Sequence, residues 1–226
     1  MKLSHRRYVS ILLGLFVLFW LALAIEPVDR ADWMLENALV ALAVPLLVVT
    51  YRFFRFSRTS YTLIFAFLCL HEVGAHYTYA KVPYDAWLQA LTGHSFDVQL
   101  GVTRNHFDRL GHFAFGLLLS YPMREIFVRV ADARGFWSYY LPLDMTMAFS
   151  MIFELVEWAA AVVFGGDLGV AYLGTQGDPW DAQKDMLMAT LGGLAAMVVT
   201  AVVNGRHQRD FAREWIESLR VKQKTR

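Results

Sequence analysis

Long apolar stretches, each close to twenty residues, alternate with mostly short polar connections along this chain. Six such runs stand out, at about 8–25, 33–51, 60–77, 110–130, 143–164 and 182–203. A helix that crosses the hydrocarbon core of a bilayer needs ~20 mostly apolar residues, so each run predicts a membrane span. The predicted fold class is therefore all-α: a polytopic membrane helical bundle of about six transmembrane helices, forming one integral membrane domain over 1–226. Pro45 lies inside the second run and predicts a kink, which membrane helices tolerate. The first run has a basic start and a cleavage-like Ala22-Leu23-Ala24 end, but its apolar stretch exceeds the ~7–15 residues of a signal peptide. A retained helix is expected. The connection at about 78–109 is long, and its YDAWLQAL segment has the pattern of a short amphipathic helix. After the last run, the 204–226 tail spaces Phe211, Trp215 and Leu219 four apart with arginines between them, which predicts an amphipathic cytoplasmic tail lying on the inner leaflet.

Composition agrees with this pattern. The chain is 57% hydrophobic and 18% charged, a balance that a soluble domain of this size rarely has. Its net charge of +1 suggests no nucleic-acid partner. The single cysteine, Cys69, lies in an apolar run and has no partner for an internal disulfide. The basic residues are distributed unevenly. Sixteen of the 21 fall at the amino terminus (Lys2, Arg6, Arg7), in the second connection (Arg52, Arg55, Arg58), at or just beyond the end of the fourth run (Arg124, Arg129, Arg134), or in the tail. By the positive-inside rule this places both termini in the cytoplasm.

With that orientation, ionisable residues gather toward the outer half of the bundle. The third run ends in HEVGAHYTY, where Glu72 and His76 are four apart and His71 adjoins Glu72. The fourth begins with RNHFDRLGHF, where Asp108 and His112 are again four apart, beside Arg109. The fifth carries Glu154 and Glu157, three apart, and the sixth opens with Asp178, Asp181 and Asp185. Residues three or four apart share a helix face. An ionised side chain near the bilayer centre costs at least ~2.5–3.5 kcal/mol, so these groups are expected to face one another around an outward-opening pocket rather than lipid. The inner half shows no comparable set. Asp178 before Pro179 reads as a helix N-cap, and Asp181 as a first-turn acid favoured by the helix dipole. Asp185 lies a turn deeper, where capping does not account for it.

The candidate catalytic residues are thus His112, Glu154, Glu157, Asp185 and Asp108, with His76, Arg109, Asp181 and Glu72 as candidates for substrate binding. Histidine beside carboxylates in a dry cleft suits acid–base chemistry. His112, Glu154 and Asp185 are also candidate ligands for a divalent metal, the one cofactor considered. No recognisable motif supports that ion, because HEVGAH is one residue longer than the H-E-x-x-H zinc signature.

HYTYAKVP, DRLGHF, ELVEW and LGTQGDPWDAQKDM resemble the YjdF-type family of bacterial inner-membrane proteins, from the second run to the sixth. The resemblance implies a multi-pass protein of the bacterial inner membrane and assigns no reaction. More distantly, the layout is similar to the VanZ-like family, associated with glycopeptide resistance. Asp108, Arg109, His112 and Phe113 match the head of one helix in that family, and Glu154 matches another, with Glu157 replacing a glutamine. Asp185 and Gly192 match a third, with Ala189 where that family has asparagine. Two functional readings stay open. In the first, the pocket binds or acts on an outer-leaflet lipid or lipid-linked envelope molecule. In the second, a non-catalytic protein serves ligand binding, ion- or proton-linked transport or structure, and its polar cluster fixes helix packing.

Overall fold

The computed structural model describes residues 3–101 and 103–224. Lys2 and Arg226, counted above among the basic residues, lie outside them. All regular structure among the described residues is helical: α1 His5–Leu23, α2 Arg30–Thr50, α3 Arg58–His76, α4 Tyr84–Thr92, α5 Phe96–Leu100, α6 Phe107–Val130, α7 Trp137–Phe164, α8 Gly166–Leu173, α9 Asp181–His207 and α10 Phe211–Lys224. Each of the six apolar runs lies within, or overlaps for nearly all its length, one long helix, and YDAWLQAL falls in α4. Side-chain caps set several starts. Asp29 accepts from the Ala31 and Asp32 amides at the head of α2, and Ser57 accepts from the Ser60 amide at the head of α3. α2 continues through Pro45 as one helix.

Four helices, α1, α2, α7 and α9, are long and apolar enough to cross a membrane. α3 and α6 have 19 and 24 residues but carry more polar positions. For α6 the physical reason is its place in the bundle. It packs against α3, α7, α9 and α10, most closely against α9. A helix enclosed by protein does not need an all-round apolar surface, and α6 buries His112, Ser120, Arg124 and Glu125.

The bundle is apolar outside and polar inside. Leu18, Leu42, Val49, Trp158 and Val163 are exposed, while Arg124, Glu72 and Glu125 are among the largest completely buried side chains. Soluble proteins rarely bury such groups and rarely expose so much contiguous apolar surface; a lipid exterior accounts for both.

Glycine brings α6 and α9 together. A Cβ on Gly116 would lie 2.0 Å from the Ala189 carbonyl oxygen, and one on Gly192 would lie 2.1 Å from that of Phe113. Backbones approach this closely only where side chains are absent, as in small-residue contacts between membrane helices. The contact holds Asp108 and His112 of α6 beside Asp185 of α9.

The two chain ends meet at one end of the bundle, where the His5 ring stacks on Trp215 of α10 at 4.9 Å. α10 buries Ala212 and Ile216, and the Trp215 indole N–H donates to the Arg55 carbonyl at 3.0 Å. The sequence reading expected no polar set in this half of the bundle. The structure corrects that: Arg124 and Glu125 are completely buried here. Arg124 donates to both carboxylate oxygens of Asp210, at 2.9 and 2.6 Å, and to Ser138 at 3.2 Å. Arg124 is a basic residue near the end of α6, and its partner comes from α10, which folds back against that helix.

Candidate functional site

The opposite end of the bundle, where α2, α6 and α9 begin, holds the predicted residues in two tiers. The outer tier is a rim of ion pairs between the loop before α6 and the loop before α9. Arg104 donates to Asp181 at 2.6 Å and to the Thr175 carbonyl at 3.2 Å. Arg109 donates to Asp178 at 2.6 Å and to Asp181 at 3.3 Å. Asn105 and Gln176 exchange hydrogen bonds at 2.9 and 3.0 Å. The LGTQGDPWD segment is therefore strapped to RNHFD. Asp178 is not an N-cap, because α9 starts at Asp181. It accepts instead from the Trp180 amide at 3.1 Å and from Lys184 at 2.6 Å. Lys184, then the Trp180 amide and Arg109, hold its carboxyl well below the usual carboxylate range.

The inner tier lies a turn deeper. His112 Nε2 is 3.3 Å from Glu154 Oε1 and 3.7 Å from Asp108 Oδ1. Asp108, His112 and Asp185 each place one ligand-type atom within 4.8 Å of the others. His112, Glu157 and Asp185 are buried. Glu154 Oε1 and Asp185 Oδ1 are buried without a hydrogen-bond partner. Arg109, which is held at the rim through another nitrogen, brings its Nε to 3.9 Å from Asp185 Oδ1, beyond hydrogen-bond distance. Among the described residues, Asp108, His112 and Asp185, with Glu154 adjoining, could hold a metal ion.

A second polar wall, formed by α2 and α3, faces this tier. Asp32, Glu36, His71 and Glu72 are all buried there. Glu72 lies against Asn37, whose amide oxygen accepts from the Trp20 indole at 2.5 Å. His71 Nε2 is 3.2 Å from the Glu36 carbonyl, and Nδ1 is 2.5 Å from the Tyr79 hydroxyl. A carbonyl only accepts, so Nε2 carries a proton and donates to it. With Nδ1 held by the Tyr79 hydroxyl, both ring nitrogens of His71 are engaged. Tyr79 is wedged between glycines: a Cβ on Gly74 would meet its ring at 2.5 Å and one on Gly111 at 3.2 Å. The turn that delivers it has positive φ at Thr78 and Tyr79, 54° and 48°. Such angles are rare away from glycine and persist where the surroundings impose them.

Between the two walls is a cavity of about 360 Å³. Glu36, Asp108, His112, Glu157, Tyr79 and Tyr172 line its polar end. The remainder is apolar, with Phe67, Phe115, Leu39 and Ile152 among its walls. Leu39 of α2 and Phe149, Ile152 and Val156 of α7 line the cavity and are also exposed on the outer surface. The cavity thus opens sideways, between α2 and α7, onto the apolar exterior.

Of the nine site residues named from sequence, the structure places Asp108, His112, Glu154, Glu157 and Asp185 together. Arg109 and Asp181 belong to the rim, and Glu72 to the facing wall. His76 is turned away, its Nδ1–H donating to the Leu23 carbonyl at 2.8 Å. Sequence reasoning missed Asp32, Glu36, Tyr79 and Tyr172. The acids had a signal: Asp32 and Glu36 are four apart at the head of the second apolar run. The tyrosines had none, because loop and short-helix folding alone carries them to the cavity.

Residues 8–206 match the model of a family described as "Predicted membrane protein (DUF2238)". The "Inner membrane protein YjdF" of Escherichia coli (strain K12) is 39% identical over 186 residues, covering 81% of this chain and 84% of that protein. No solved structure matches the chain. This chain is an integral protein of the bacterial inner membrane and belongs to the DUF2238 family of predicted membrane proteins.

Proposed function

We propose that the chain spans the inner membrane six times with both termini in the cytoplasm. In this reading the cavity receives an outer-leaflet lipid or lipid-linked envelope molecule. The apolar part enters sideways between α2 and α7, and the polar part meets Glu36, Asp108, His112 and Glu157. One observation carries this reading: one cavity is lined both by apolar side chains that are exposed on the bundle's exterior and by buried acids. Pockets for small molecules commonly combine largely apolar walls with a few convergent polar groups. Six spans bring α2, α6 and α9 in from the same side and the termini back to the other. The sixteen clustered basic residues then face the cytoplasm.

The polar end is also equipped for proton transfer. His112 and two neighbouring carboxyls can hold and release a proton beside a bound head group, which is the arrangement general acid–base catalysis requires. Binding is the minimal function, and conversion of the bound molecule is the extension.

Lipid extracted from the purified protein tests the binding. Wild-type protein is expected to retain an amphiphile that Ala43→Trp or Ile152→Trp, which fill the side opening, exclude without loss of fold. Equal lipid content in all three, with unchanged cellular lipid profiles on deletion and overexpression, overturns the proposal. A changed head-group profile in cells carrying His112→Ala identifies the extension.

A further inference from the structure

We infer that Asp108, His112 and Asp185, with Glu154 as the adjoining ligand, form a binding site for a divalent transition-metal ion. The atoms around His112 are spaced as ligands rather than as hydrogen-bond partners. Nε2 faces two carboxylate oxygens at 3.3 and 3.7 Å. One N–H serves one acceptor well, at about 2.9–3.0 Å. Two ligands bound to one ion at ~2.0–2.2 Å lie roughly 3.0–3.6 Å apart when their bonds meet at octahedral or tetrahedral angles. The same nitrogen can therefore share an ion with both carboxylates, whereas it can hydrogen-bond only one of them well.

A second observation is independent of that spacing. Asp185 is 2% exposed, and its Oδ1 has no hydrogen-bond partner. Glu154 Oε1, on the next helix, is buried in the same condition. A buried carboxylate oxygen left unsatisfied carries its desolvation penalty uncompensated, so two such oxygens beside one imidazole point to a missing cation. The chain's own bases supply it only in part. Arg104 and Lys184 pair with Asp181 and Asp178 at the rim, and Arg109, bound there through one nitrogen, brings its Nε to 3.9 Å from Asp185 Oδ1, beyond hydrogen-bond reach.

The donor set narrows the ion. One imidazole with two or three carboxylates favours Zn²⁺ or Mn²⁺ over the all-oxygen preference of Mg²⁺ and Ca²⁺. Asp108 and His112 also line the cavity, so the ion's open coordination positions face it. A bound ion turns an acid-lined cavity end into one that accepts an oxyanion. The site does not depend on the lipid reading, and the two fail separately: loss of the metal idea leaves retained lipid to be explained, and loss of the lipid idea leaves bound metal.

The test uses the full chain in detergent, stripped with chelator and reloaded with Zn²⁺ or Mn²⁺, with Mg²⁺ as comparison. Elemental analysis is expected to find a stoichiometric ion, and the ion is expected to raise thermal stability. Asp185→Asn and His112→Gln are expected to weaken binding by more than the roughly 10- to 100-fold that loss of an outer supporting residue costs. Glu125→Gln, a buried carboxyl at the opposite end of the bundle, is expected to bind as wild type. Because a variant can fail to fold, Mn²⁺ electron paramagnetic resonance on the wild-type protein provides a second readout, with an immobilised signal expected. Absence of a bound ion, of stabilisation and of an immobilised Mn²⁺ signal in folded wild-type protein overturns the inference. So does metal binding that survives both ligand substitutions.

Discussion

Two buried polar regions occupy opposite ends of this bundle and are built differently. Near the chain termini, Arg124 is enclosed completely but meets Asp210 through two hydrogen bonds, Ser138 through a third, and the Tyr139 ring at 4.5 Å. Glu125 accepts from the Ser57 amide at 2.9 Å, and Asn204 donates to the Tyr139 hydroxyl at 3.1 Å. Glu125 Oε1 and Arg124 Nε are nevertheless left without a partner there. At the other end acids outnumber bases around the cavity, and the unpartnered carboxylate oxygens are more numerous, on Asp32, Glu36, Glu72, Glu154 and Asp185. A charge buried for packing comes with its counter-charge, because an uncompensated ion inside a protein costs several kcal/mol. A charge buried for a ligand leaves its partner's place to that ligand. By this criterion the terminal network joins α10 to α6, and the cavity end awaits something from outside the chain.

Substitutions test that distinction most directly. Arg124→Ala removes a buried guanidinium and its hydrogen bonds to the half-buried Asp210 and to Ser138, and is expected to cost about 2–3 kcal/mol or more. The measurement is chemical or thermal unfolding in detergent, and the 207–211 junction should become more sensitive to protease. Gly116→Ala or Gly192→Ala pushes a methyl into the facing backbone and is expected to cost about 1–3 kcal/mol or more, while also moving His112 away from Asp185. Ser or Cys at these positions should behave alike. By contrast, Glu36→Gln and Asp185→Asn in the metal-free protein remove unmatched charge and are expected to change stability by no more than about 1 kcal/mol in either direction. If they destabilise as much as Arg124→Ala, the two ends are alike and the cavity acids are packing elements.

The smallest expected effect comes from pH. Burial pushes the Asp210 carboxyl up, but the hydrogen bonds and charge of Arg124 outweigh it, and the net shift is downward. A depressed folded-state pKa contributes stability that is fully present above the unfolded value of ~3.9 and lost as pH falls through the folded value. Docking of α10, followed by Trp215 fluorescence, is therefore expected to be flat from neutral pH to about 5 and to weaken only below about 4. Loosening between pH 7 and 5 would show that another group controls the contact.

The two ends also differ in how legible they were. The pairs Asp108–His112 and Glu154–Glu157 could be read as shared faces because helical spacing is local, and a membrane leaves such groups nowhere to go but inward. Arg124 counted only as one of the clustered basic residues, because its partner lies 86 positions away, beyond a turn that directs α10 back under the bundle. His76 shares a face with Glu72 in the helix yet binds Leu23 of α1, since helix spacing says nothing about which neighbour a face meets. Asp178 looked like a cap, but the chain makes one more turn before α9 begins.

Apolar length alone determined that this chain forms long helices suited to a bilayer, because the bilayer's thickness and its lack of hydrogen-bonding partners leave few alternatives. Helical spacing determined which acids and imidazoles travel together on one helix. Only the tertiary structure decided which helices share a wall, that Glu36 and Tyr79 join the cavity, that the cavity opens between α2 and α7, and that Arg124 has a mate while Asp185 does not. Those outcomes depend on glycine contacts and loop paths between segments far apart in the chain. Such contacts are set by shape complementarity rather than by any periodic pattern along the sequence.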